Sequence, residues 1–116
     1  MTLPEFLQMI KAAENISFDA TQAMIMDNYH YHPVAFHNGL GEQRLSNAAG
    51  SSEGSCRIFA FARIHALDEA QTLKLFGEHY QHVLQNPHGS DHQNIRNFIK
   101  FGWAGIAFDG EALTAK

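Results

Sequence analysis

Residues 88–96 read HGSDHQNIR and place two imidazoles, a carboxylate, amides and a guanidinium within nine residues. On a helix, His92 and Arg96 fall four residues apart on one face. An imidazole beside a guanidinium at a helix start, where backbone amides lack partners, suits an anionic group. This makes His92, Arg96, His88 and Asn94 the candidate ligand-binding residues. Asp91 beside His92 also offers an acid–base pair. Part of the stretch has a structural explanation. Ser90 with Gln93 reads as a capping box, and Asp91 is an alternative cap that accepts orphan amides. Capping does not account for His88, His92 and Arg96 together.

Cys56 is the second candidate. It follows Glu53-Gly54-Ser55 at the expected start of a buried helix, where amide dipoles lower a thiol pKa. A nearby histidine would make it a Cys–His nucleophile, and His37, beside the Asn38-Gly39 turn, is the candidate partner. A buried, inert thiol is the competing reading. Catalytic candidates are therefore Cys56, Asp91 and His92, with no catalytic activity as the favoured expectation. Metal chemistry has weaker support. His30 and His32 would point to one side of an extended chain. His79 and His82 have HxxH spacing on a helix, but His82 falls opposite the Leu73–Tyr80–Leu84 stripe. No HExxH or similar signature links these segments, so no metal and no cofactor is assigned.

The elements that must position these groups follow from caps and periodicity. Thr2 and Glu5 form a capping box around Pro4, and Leu3, Phe6, Leu7 and Ile10 continue a helix to about Glu14. Ser17 starts a second helix, with Phe18, Ile25 and Tyr29 on its buried face. HPVAFHNG predicts a short strand and a tight turn at Asn38-Gly39, with GEQRL a poor partner for it. SNAAGSSEGS, with four Ser and two Gly, predicts a loop. CRIFAFARIHAL is apolar without alternation, and its Ala content and length favour helix over strand. Asp68 and Gln71 cap a helix carrying Leu73, Phe76, Tyr80, Val83 and Leu84 to about Gln85. A last helix holds Ile95, Phe98 and Ile99 and stops at Gly102. WAGIAFDGEAL then predicts a short strand and an Asp-Gly turn, with Trp103 packed over the junction of helix and sheet. The fold class is α+β: about five helices with a small antiparallel sheet in one compact domain.

Composition narrows the function classes. The 116 residues fit one domain, residues 1–116. Net charge is −4 with histidine neutral and eight histidines are present, so full protonation would reach +4 (−4 + 8). With no run of Lys or Arg, nucleic acid is not an expected partner. One cysteine excludes an intramolecular disulfide. No apolar stretch approaches the ~20 residues of a membrane span, and no signal peptide is visible. The expected location is the bacterial cytoplasm.

Four blocks resemble a known family. HPVAFHNG, AGSSEGSCRIFAFARIHAL, QTLKLFGEHYQHVL and SDHQNIRNFIKFGWAGIAFDGEAL stand in order over roughly residues 30–113. They are similar to the HopJ-type (HopPmaJ) type III effectors, with GSCRIFAFA and DHQNIRNFIKFGW the most specific blocks. The resemblance implies a compact α+β domain, delivery from bacterium to host cell and a link to virulence. It supplies no catalytic mechanism, so no residue role carries over. Type III substrates usually begin with a flexible, Ser-rich segment, whereas a capped helix is expected here from Thr2. Three classes follow: a small binding or interaction domain with a host or bacterial protein partner, a small enzyme using Cys56 or Asp91/His92, and a non-exported cytoplasmic housekeeping protein sharing the domain.

Overall fold

The computed structural model describes all 116 residues. Helix α1 (Leu3–Lys11) opens with both halves of the Thr2/Glu5 capping box in place. It ends short of Glu14, because Ala13 turns left-handed at φ 57° and the Glu14 amide reaches back to the Met9 carbonyl at 3.1 Å. That closure satisfies carbonyls at the helix end that a continued helix would otherwise have served. Helix α2 (Phe18–Asn28) starts at Ser17, whose hydroxyl accepts the Ala20 amide at 3.1 Å.

The apolar centre is helical: α3 spans Glu53–Ile64. Ile58, Phe59, Phe61 and Ala62 are fully buried, which explains why the segment shows no amphipathic stripe. Its arginines cover the exits of the core. Arg57 lies 4.2 Å from the centroid of the Tyr31 ring, and Arg63 donates to the Ile106 carbonyl. Phe6, Phe36, Phe59, Phe61, Phe76 and Phe98 are all buried around α3. Each contributes about 1.5–3 kcal/mol of burial.

One expected helix is two. The Asp68/Gln71 capping box opens α4 (Glu69–Lys74), but α5 (Glu78–Gln85) is separate. The break is at Gly77, with φ 55° and ψ −126°, a backbone conformation closed to L side chains. A Cβ there would lie 2.5 Å from the Phe18 amide nitrogen and 2.7 Å from the Ile16 carbonyl. The turn is thus wedged against the start of α2. Glu78 completes the joint by accepting the Phe18 amide at 2.8 Å.

Helix α6 (Gln93–Phe101) stops at Gly102 as expected. The 3-10 turn that follows, Gly102–Gly105, sets Trp103 edge-on to Phe98, its indole N–H donating to the Leu67 carbonyl. Five short strands complete the chain: β1 (Tyr29–Tyr31), β2 (Phe36–Asn38), β3 (Leu45–Asn47), β4 (Ala107–Phe108) and β5 (Leu113–Ala115). They form two antiparallel sheets, β1–β5 and β3–β2–β4, where one was expected. Strand β3 takes only Leu45 from the stretch expected to be a poor partner, whose Gly41–Gln43 form a 3-10 turn, and takes Ser46 and Asn47 from the expected loop; Phe36 stands opposite Asn47 and Asn38 opposite Leu45. The α+β class stands, with six helices.

Candidate functional site

The α5–α6 corner is built by local backbone chemistry. After α5 the chain reverses through Asn86–Asp91, and Arg96 reaches back from α6 to hold it. Its Nη1 donates to the Asn86 carbonyl at 2.8 Å and its Nη2 to Asp91 Oδ1 at 2.7 Å, while Nε donates to the Asp91 carbonyl. The guanidinium side chain is only 11% exposed. Arg96 therefore clamps the loop, a role that the expectation of a free guanidinium beside His92 did not anticipate.

Neither expected cap forms. The residue before α6 is His92, in a left-handed conformation at φ 50° and with no side-chain cap. Asp91 is drawn away: its second oxygen lies 3.0 Å from His82 Nε2. The hydrogen bond from Arg96, and then that from His82, hold the Asp91 carboxyl below the usual carboxylate range. A left-handed non-glycine costs about 1–2 kcal/mol, and a missing cap about 1 kcal/mol. His92 is thus placed by its surroundings against two local preferences. Such positions cluster at functional sites.

Around His92 the fold gathers histidines distant in the chain. The His79 and His92 ring centroids are 5.0 Å apart, and His82 and His92 are 5.6 Å apart, nearly edge-on. His79 also packs edge-on against Phe18 at 4.6 Å. Partial burial, and next the neighbouring His79, depress the His92 pKa against the pull of Asp91. The sequence places His79 and His82 at HxxH spacing with His82 toward solvent, and His82 is indeed half exposed, at 49%, yet both rings lie beside His92. The break at Gly77 and the reversal at Asn86 turn both toward His92, and neither is visible in a helical wheel.

His92 and His79 edge a cleft of about 450 Å³ shared with Phe18, Ser52, Ser55 and Asn94. Two helix starts line it, those of α3 and α6. Both are preceded by a left-handed residue, Ser52 and His92, and neither has a side-chain cap. Amides in both first turns are left without side-chain acceptors, the kind of helix start that offers donors to an anion.

The remaining candidates are elsewhere. Asn94 borders the cleft but its side chain is engaged inward. It donates to Asn47 Oδ1 at 2.9 Å and accepts from Asn38 and Asn47. His88 is exposed in the loop. Cys56 is buried, its sulfur 3.9 Å from the Val34 carbonyl, and burial pushes the thiol pKa up. His37 turns to Ser46 at 2.9 Å and Asp109 at 3.6 Å, so the Cys56–His37 pair is not formed. Of the residues named from sequence, the corner unites His79, His82, Asp91, His92 and Arg96.

This arrangement defines a small α+β domain with one histidine-edged cleft. The chain belongs to the HopJ family: the family model described as HopJ type III effector protein matches residues 3–113. The match extends to α1, beyond the blocks that carried the resemblance. The fold is similar to that of a solved structure described as "Crystal structure of unknown function protein VPA0580". The two share 47% identity at a TM-score of 0.94, over 100% of this chain and 95% of that one. Among curated proteins none matches. No helix is long and apolar enough to cross a membrane.

Proposed function

We propose that the chain is a small binding domain that holds an anionic group of a host or bacterial protein partner in the cleft beside His92. The observation that carries this reading is the convergence of two uncapped helix starts, α3 and α6, on one cleft edged by His79 and His92. Phosphate and carboxylate groups are the natural ligands of such amides, and an imidazole adds a donor that strengthens on protonation. Family membership supports an effector-like role, and a link to virulence belongs to the same proposal. A catalytic reading has less behind it. The Cys56 thiol is buried with a raised pKa, and the Asp91 carboxylate is committed to Arg96 and His82 rather than to His92.

Inorganic phosphate is the probe. In an amide-resolved NMR titration the reading predicts saturable shifts at Gly54, Ser55, Gln93 and Asn94. Shifts confined to exposed lysines such as Lys11 and Lys116, with those four amides silent, would refute it.

A further inference from the structure

We infer that His82, Asp91 and His92 form a binding site for a borderline divalent transition metal such as zinc. The inference goes beyond the cleft reading, because it concerns a different ligand and a partly different set of side chains. One ligand atom from each of the three residues lies within 4.8 Å of the others. A tetrahedral ion bound at about 2.0–2.2 Å holds its donors roughly 3.3–3.5 Å apart. Binding would need that gap closed by side-chain rotation, chiefly of His82. His82 is about half exposed, at 49%, and has room to turn, while Arg96 holds the Asp91 carboxylate.

The donor chemistry fits such an ion. Two imidazoles and one carboxylate make a nitrogen- and oxygen-rich set of the kind that takes zinc, nickel or copper in preference to calcium or magnesium. The His82 Nε2–Asp91 Oδ2 contact at 3.0 Å is a hydrogen bond in which Nε2–H donates to the carboxylate, and the ion would take the place of that proton. Arg96 fixes the other carboxylate oxygen at 2.7 Å, in the manner of an outer partner that orients a ligand. Its charge opposes a dication, so the imidazoles must supply most of the affinity. His79 packs its ring between Phe18 and His92 and limits rotation of the His92 ring; it is a positioning residue. Three protein ligands leave a coordination position open, as catalytic and ligand-binding zinc sites do.

The test is calorimetry of the full chain with zinc, joined to NMR of the histidine rings and repeated with inorganic phosphate in zinc-free buffer. The inference predicts one zinc per chain, with the His82 and His92 rings shifted and those of His30, His32, His37 and His88 unmoved. Asp91→Asn lowers the affinity about tenfold or more. The double variant His82→Ala, His92→Asn abolishes binding. Asn tolerates the left-handed backbone at position 92, so that variant keeps its fold, and an unchanged amide spectrum verifies it. Weak binding spread over all eight rings, or binding retained by the double variant, overturns the site. The phosphate arm separates the two readings. Amide shifts without zinc binding leave the cleft standing and remove the metal; zinc binding without those shifts does the reverse.

Discussion

Two polar clusters meet on α6, and they are built on opposite principles. Along its inward face, Asn94 and Asn97 join Asn38 and Asn47 from the β3–β2–β4 sheet. All four are buried, and they are linked by hydrogen bonds of 2.8–3.2 Å, among them Asn38 to the Asn94 carbonyl and Asn97 to the Asn38 carbonyl. At the helix start, His79, His82, Asp91 and His92 stay open to solvent in part, with a strained backbone and no cap. The first cluster spends nearly all of its hydrogen-bonding capacity on holding helix to sheet. The second keeps donors and acceptors in reserve at some cost to local stability. Buried amides with satisfied partners specify a fold, whereas spare capacity beside a cleft marks a place for a ligand.

Substitutions should separate the two clusters, and the largest effect belongs to the joint that brings the second together. Gly77→Ala puts an L side chain into a glycine-only conformation and against the backbone of Ile16 and Phe18. Strain alone should cost about 1–3 kcal/mol, with the clash in addition, and denaturant unfolding will measure the sum. Displacement of α5 should also move the His79 and His82 ring signals. Asn94→Ala comes next. It leaves the buried Asn47 Oδ1 without its donor and takes one acceptor from the Asn38 and Asn47 side-chain amides, at about 1–3 kcal/mol. An unfolding midpoint unchanged by that substitution would mean the asparagine network does not hold the fold.

The pH response rests on a third kind of histidine. His65 bonds the Tyr29 hydroxyl at 2.7 Å, and burial depresses its pKa. In the folded state it therefore takes up a proton less readily than in the unfolded chain. Its contribution to stability is full above the unfolded value of about 6.5 and is lost as pH falls through the lower folded value. Denaturant midpoints should drop on mild acidification, and less so in His65→Gln. The smallest effect is expected at His82→Ala, within about 0.5 kcal/mol of the parent, because the ring is half exposed and its partner Asp91 keeps Arg96.

What could be read from sequence divides along the same line. The Thr2 and Asp68 capping boxes, the Ser17 cap and the Gly102 stop are local events, decided within one turn of chain, and all stand in the structure. The asparagine network and the pairing of β2 with β3 join separate segments, and Leu45–Asn47, at the head of a Ser- and Gly-rich stretch, has no hydrophobic alternation to announce a strand. Gly77 was hidden by an apolar stripe that runs on from Leu73 to Val83 across the break. At the site, His92, Asp91 and Arg96 were named from spacing, but their partners were not. Asp91 looked like a cap and is instead held by Arg96 and His82, because a charged partner outcompetes backbone amides for a carboxylate.

The central claim is that His92 is held for binding rather than for folding. His92→Gly relieves the left-handed backbone, and its unfolding free energy can be measured beside its phosphate-induced amide shifts. The account predicts stability equal to the parent or higher by about 0.5–1 kcal/mol, with the shifts at Gln93 and Asn94 strongly reduced. Stability lower by more than about 1 kcal/mol with the shifts intact would contradict it, and would return His92 to the folding of the α5–α6 corner.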